Sequence, residues 1–240
     1  MIDIHCHILP GIDDGAPDIE TSIRMFRIAS DDGITHIVAT PHFTHNERPT
    51  VEDIEQHVKL LREELEEKGI EVKLLGGADI RLSYELIEGI EKNNIPTING
   101  SRYFLLELPD LIPPNLDNLL FTASLNGLVP IITHPERNYS ILSEPEKIES
   151  LRDAGALLQL TAMSVTGEFG SQIKKLSHML LKKNYVDFIA SDAHNINRRT
   201  PVLSKAYREV AEVLDEKEAK RIFFENPKAV IENREIKGSS

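Results

Sequence analysis

Seven short runs of almost unbroken apolar, β-favouring residues punctuate the 240-residue chain, at 2–6, 34–39, 70–75, 103–108, 128–133, 156–161 and 185–190. Runs without polar alternation suit strands covered on both faces, as in a parallel sheet. Helical spacing fills the intervals. Val51, Ile54, Val58, Leu61 and Leu65 recur in steps of three and four, and Ile19, Ile23, Phe26 and Ser30 repeat the pattern over 18–32. Gly33, Gly69, Gly127 and Gly155, with Asn184 in the same role, stand between a helical segment and the next strand, where a left-handed residue ends a helix. Ser143 with Glu146 spells a capping box, and Thr200-Pro201 an N-cap followed by proline at the first helical position. Strand and helix thus alternate, and right-handed crossovers leave two products, an α/β barrel or a doubly wound open sheet.

No linker, repeat or low-complexity stretch interrupts this order, so a single domain over 1–236 is expected, with 237–240 a disordered tail. Acidic residues outnumber basic ones by 39 to 27, a net charge of −12, which disfavours nucleic acid and anionic membranes as partners. The single cysteine, Cys6, excludes an intramolecular disulfide and suits a reducing compartment. No stretch approaches the roughly 18–20 apolar residues of a membrane span. The expectation is a soluble, cytoplasmic protein.

The strand ends carry the chemistry. The first delivers His5 and His7, which share a face at i and i+2, and Asp14 follows in its loop. The second leads to His42, the third to Asp79, the fourth holds Glu107, the fifth leads to His134, and the seventh to Asp192 and His194. Only the sixth, with Gln159 and Thr161, delivers neither imidazole nor carboxylate. In a barrel these ends converge on one face. A charge inside an apolar run, such as Glu107 in Leu105-Leu106-Glu107-Leu108, is hard to explain as solvated surface. One ion with an open position uses about three protein ligands, so nine suit a cluster of two or three. Nitrogen and oxygen donors without thiolate suit Zn, Mn or Fe. In Ile12-Asp13-Asp14-Gly15 either aspartate can be a plain turn residue.

Four carboxylates do not neutralise three divalent ions, and Arg137 and Arg199 add further positive charge, so an anionic substrate fits. The guanidinium fork matches phosphate oxygens, and clustered ions suit phosphoester hydrolysis. Glu136 is the competing partner for Arg137, and Arg198 the competing residue beside Arg199. Cys6 alternates away from His5 and His7 and is expected to pack. His36, His45, His57 and His178 read as ordinary, although His45, with Arg48 in the loop after His42, could touch substrate.

As a set, His5-x-His7, Thr40-Pro41-His42, His134-Pro135-Glu136-Arg137 and Ser191-Asp192-Ala193-His194 resemble the polymerase and histidinol phosphatase (PHP) family. The opening His5-Cys6-His7-Ile8-Leu9-Pro10-Gly11-Ile12-Asp13-Asp14-Gly15 is similar to its bacterial capsule and exopolysaccharide tyrosine phosphatase branch. The likeness runs from residue 1 to Glu225-Asn226-Pro227. It implies an α/β fold, a distorted seven-stranded TIM-like barrel with the metal site at the C-terminal strand ends. It also implies two or three divalent ions, manganese foremost. The implied activity is hydrolysis of phosphotyrosine, by attack of a metal-bridging hydroxide, on the tail of a membrane-associated bacterial tyrosine kinase that controls capsule or exopolysaccharide synthesis. By position, the resemblance assigns His5, His7, Glu107 and Asp192 to a first ion, Asp79, Glu107 and His134 to a second, and Asp14, His42 and His194 to a third. Arg137 and Arg199 would bind phosphate. The branch usually has glutamate where this chain has Asp79, which withdraws the carboxylate by about 1.5 Å, so that either the backbone moves inward or one ion is held loosely and exchanges; the second is expected. Two rivals follow: a histidinol-phosphate or other small phosphomonoester phosphatase, decided by segments 43–50 and 162–171, and a catalytically silent metal-binding regulatory domain.

Overall fold

The computed structural model describes residues 1–44, 49–114 and 116–236; His45, Arg48 and the tail 237–240 lie outside them. Each of the seven runs coincides with a strand, β4 ending one residue past its run: β1 (Ile2–Cys6), β2 (His36–Ala39), β4 (Lys73–Gly76), β6 (Tyr103–Glu107), β7 (Val129–Thr133), β8 (Leu157–Thr161) and β9 (Phe188–Ala190). Two short strands were not expected, β3 (His42–Phe43) and β5 (Asp79–Arg81). Each resumes a run after a break. Pro41, which has no N–H to donate, separates β2 from β3. Gly77 separates β4 from β5, and a Cβ there would stand 2.9 Å from Val38 Cγ1, so the close passage of the chain requires glycine.

The fold is α/β with parallel pairing throughout, in the orders β1-β2-β4 and β3-β5-β6-β7-β8-β9. Backbone hydrogen bonds join the sheets where the chemistry lies. His7 N donates to Ala193 O and Asp192 N to His5 O, each at 2.8 Å, while Asp79 N donates to Pro41 O at 3.0 Å.

Helices α1 (Ile19–Asp31), α2 (Val51–Glu67), α3 (Leu86–Glu91), α4 (Leu116–Leu125), α5 (Tyr139–Ser143), α6 (Lys147–Asp153), α7 (Ala162–Thr166), α8 (Ser171–Lys182), α9 (Ser204–Val213), α10 (Glu216–Lys220) and α11 (Asn226–Ile231) fill the intervals. Helix α2 buries Ile54, Val58, Leu61 and Leu65 and starts in a Thr50–Asp53 capping box. The α1 stripe is turned from the expected one. Ile23 and Phe26 are buried, but Met25 and Ala29 complete the face, and Ile19 and Ser30 are exposed. The four helix-ending glycines and Asn184 all have positive φ.

Two caps differ from expectation. Ser143 ends α5 and donates to Tyr139 O, while Asn138 caps that helix. Thr200-Pro201 precedes α9, whose start is capped from the residue that follows α1: Asp32 Oδ2 accepts from Leu203 N at 2.6 Å and Ser204 N at 2.9 Å. A distant carboxylate outcompetes the local hydroxyl because two N–H groups converge on it. Among the described residues no helix is long and apolar enough to cross a membrane.

One strand face passes from apolar to functional along its length. Tyr103 and Leu105, Ile131, and Phe188 and Ala190 form a buried cluster with Ile4 and Val38. The next residues on those faces, two positions on, are Glu107, Thr133 and Asp192. An apolar floor thus lies beneath the polar strand ends.

Candidate metal centre

Eight of the nine candidate ligands fall into clusters of donor atoms. Three groups have donor atoms mutually within 4.8 Å: His5, His7 and Asp192; His7, Asp14, His42 and His194; and His42, Asp79 and Glu107. His134 stands at the edge, with Nε2 3.8 Å from Glu107 Oε1. The third group therefore has His42 where the resemblance implies His134, and Glu107 is absent from the first. The chain takes left-handed turns at His134 (φ 36°) and Asp192 (φ 51°), conformations rare for residues with a Cβ and concentrated at functional sites.

The protonation pattern tests whether cations fit. Gln159 Oε1 can only accept, so His5 Nδ1 donates to it at 2.7 Å, leaving Nε2 facing inward. His7 Nδ1 donates to Asp13 Oδ2 at 2.6 Å, which likewise turns its Nε2 inward. These two nitrogens lie 3.2 Å apart, with Asp192 Oδ1 3.5 Å from one and 3.6 Å from the other. Two donors each about 2.1 Å from one ion stand roughly 3.0–3.4 Å apart. The spacing is that of ligands sharing a cation. His42 Nδ1 and Asp79 Oδ2, 3.5 Å apart, are both buried without a hydrogen-bond partner among the described residues. Asp79 Oδ2 also lies 3.6 Å from His5 Nε2, so the short aspartate reaches the cluster. Such orphaned groups are costly unless a cation answers them. The donor set fits divalent ions.

The electrostatics agree. Burial, helped by Glu107 and Asp192, pushes Asp79 up to about 7 against the pull of His5. Burial drives His7 down to about 3, a neutral imidazole ready to ligate. Burial would also lower His5, but Asp79 and Asp192 outweigh it and raise its pKa. Despite burial that opposes it, Asp192 is held far below the carboxylate range by His5, His134, Arg199 and His7.

Both arginines reach this centre. Arg137 Nη1 lies 2.5 Å and Arg199 Nη2 2.6 Å from the same oxygen, Asp192 Oδ2. Glu136 does not pair with Arg137; it is buried and accepts from Thr161 N at 2.9 Å. Arg198 is exposed and outside the centre. Cys6 is fully buried and its thiol is pushed well up by burial, as a packing residue's would be. His57 and His178 lie on α2 and α8.

Four supporting residues escaped the sequence reading. Asp13 and Asp14 are not alternatives. Asp14 Oδ1 lies 3.6 Å from both His42 Nε2 and His194 Nε2, while Asp13 orients His7 and accepts from His42 N at 3.1 Å and Gly15 N at 3.0 Å. Burial would raise Asp13, but these hydrogen bonds hold it down at about 2. Gln159 orients His5, so the sixth strand contributes behind the ligands. Its signal was an amide inside Leu157-Leu158-Gln159-Leu160, the same logic that exposed Glu107. Asp3 is buried and ties β1 to β9, accepting from Ser191 N at 3.0 Å and Ser191 Oγ at 2.5 Å. The Phe169 ring centre lies 4.9 Å from Arg137 Cζ and backs that guanidinium.

Comparison with known proteins gives concordant results. The family model for capsular polysaccharide synthesis proteins, CpsB/CapC, matches residues 1–232. The putative tyrosine-protein phosphatase CapC of Staphylococcus aureus is 37% identical over 240 residues, covering 98% of this chain and 93% of that protein. Among solved structures, a chain from the crystal structures of YwqE from Bacillus subtilis and CpsB from Streptococcus pneumoniae, metal-dependent tyrosine phosphatases, superposes with a TM-score of 0.93 at 34% identity. The match covers 100% of this chain and 97% of that one. The histidinol phosphate phosphatase of Lactococcus lactis matches at TM-score 0.55 and 12% identity over 92% and 94%, a likeness of fold alone.

Proposed function

The chain belongs to the CpsB/CapC family of capsular polysaccharide synthesis proteins, and from that premise we propose that it is a metal-dependent protein-tyrosine phosphatase. The observation that carries the proposal is the convergence of three donor groups beside two guanidinium groups, both of which reach Asp192, a member of one of those groups. Bound there, two or three divalent ions, manganese foremost, would supply an activated water and charge neutralisation at phosphorus. His5, His7, Asp14, His42, Asp79, Glu107, His134, Asp192 and His194 would hold them.

The chain's own contribution is orientation. Arg137 and Arg199 bind the phosphoryl oxygens and spread the charge that develops in the transition state. Arg199 Nε is buried and lacks a hydrogen-bond partner among the described residues, which leaves a donor for substrate. Phe169 restricts Arg137. Tyrosinate, with a pKa of about 10, is a moderate leaving group and asks little of a general acid.

The two parallel sheets act as one distorted seven-stranded barrel, in a single domain over 1–236. The substrate is the phosphotyrosine-bearing tail of a membrane-associated tyrosine kinase, met in the cytoplasm. Support for the barrel comes from the bridge between Cys6 and Ala193 and from the continuation of β2 and β4 into β3 and β5. The test is turnover of a phosphotyrosine peptide by Mn-loaded protein and by Arg137→Ala. Unchanged turnover in the variant removes Arg137 from the mechanism.

A further inference from the structure

The segments after β8 and β9 carry Phe169 and Arg199, and with the start of α9 they line a cleft of about 160 Å³ that includes none of the nine candidate ligands. Its walls include Met163, Thr166, Glu168, Asn197, Arg198 and Lys205. Arg198 and Lys205 are exposed, and among the described residues neither has an ion-pair partner. On a chain with a net charge of −12, two unpaired cations against one carboxylate make this a local positive region. The loop is pre-organised. Asn195 Oδ1 accepts from the backbone N–H of Asn197, Arg198 and Arg199 at 3.1, 2.8 and 3.2 Å. That turn sends the two neighbouring arginines to different tasks, Arg199 to Asp192 and Arg198 to the cleft.

We propose that this cleft is a specificity subsite that binds an anionic side chain of the substrate polypeptide beside the phosphotyrosine. The proposal rests on the phosphotyrosine phosphatase activity proposed above. The shared chemistry is a carboxylate or a second phosphate, because a guanidinium fork and an ammonium in one cleft serve either. An acidic enzyme repels acidic peptides at long range, so a local cationic subsite is what would let it prefer them.

The test compares four phosphotyrosine substrates on the Mn-loaded protein: the free amino acid, a peptide with alanine flanks, one with glutamate placed on either side, and one with a second phosphotyrosine. An exposed pair of this kind supports a KM lower by roughly fivefold for the anionic peptides over the alanine one. Arg198→Ala with Lys205→Ala should abolish that difference while leaving turnover of the free amino acid unchanged. Lys205→Glu should reverse the preference. Equal KM values across the peptides, or a preference that survives in the double variant, would overturn the subsite. If the second-phosphate peptide alone gains, the ligand is phosphate; if glutamate gains equally, it is any anion. If wild-type protein turns over another phosphomonoester but none of these substrates, the phosphatase proposal itself fails.

Discussion

Asp13→Asn isolates the orienting role from the ligating one. Asp13 Oδ2 accepts from His7 Nδ1 at 2.6 Å and from the His42 N–H at 3.1 Å, and Oδ1 accepts from the Gly15 N–H at 3.0 Å. Asparagine keeps one oxygen, so it can hold His7 and His42 but faces an NH₂ toward Gly15, and the negative charge beside His7 is lost. His7 belongs to two of the three donor groups, so both are loosened together. Removing a carboxylate that orients a metal-bound imidazole costs about ten- to hundredfold in metal affinity, roughly 1.4–2.7 kcal/mol. Alanine would strand three donors at once, and each buried unsatisfied group costs about 1–3 kcal/mol, so Asp13→Ala would unsettle the fold as well. Calorimetric Mn titration of Asp13→Asn, with a melting curve of the metal-free protein, separates the two. Weakened binding with a near wild-type melting temperature is expected. Wild-type affinity in a folded variant would refute the orienting role.

The other predictions concern the arginines, the exchangeable ion and a cap. Arg137→Ala or Arg199→Ala should lower kcat about 10²–10³-fold with metal content retained, since each removes a charge-stabilising donor. Phe169→Leu should cost less, about 0.5–1 kcal/mol in kcat/KM, by freeing Arg137 from the ring. Extensive dialysis should strip one metal equivalent ahead of the rest, and Asp79→Glu should retain it; three tightly held equivalents by elemental analysis in the wild type would contradict this. Asp32→Ala should remove the tertiary cap of α9 and cost about 1 kcal/mol, a melting shift of roughly 2–4 °C, with kcat unchanged at assay temperature.

What could be read from sequence depended on whether the signal was local. Near-continuous apolar runs announced all seven main strands, because burial on both faces forces that composition. The breaks at Pro41 and Gly77 were visible as residues, but the strands that resume after them are two and three residues long, below any periodicity signal. The candidate ligands stood out because charge is anomalous in an apolar strand. Their supports did not: Gln159 is 154 residues from His5, and only the folded chain shows that they touch. Asp13 and Asp14 looked like competitors for one role because adjacency in sequence hides that their side chains diverge. The Ser143–Glu146 pattern failed for the converse reason: Ser143 is the last residue of α5 and donates to Tyr139 O, and α6 starts after Glu146 without a side-chain cap.

The most direct test of metal-dependent tyrosine phosphatase action is a parallel assay of chelator-stripped and Mn-reconstituted protein on a phosphotyrosine peptide, a phosphoserine peptide and histidinol phosphate, with free-metal controls. The account predicts negligible turnover by the stripped protein, and restored hydrolysis with the phosphotyrosine peptide cleaved fastest. Turnover indifferent to metal, or a preference for histidinol phosphate, would contradict it.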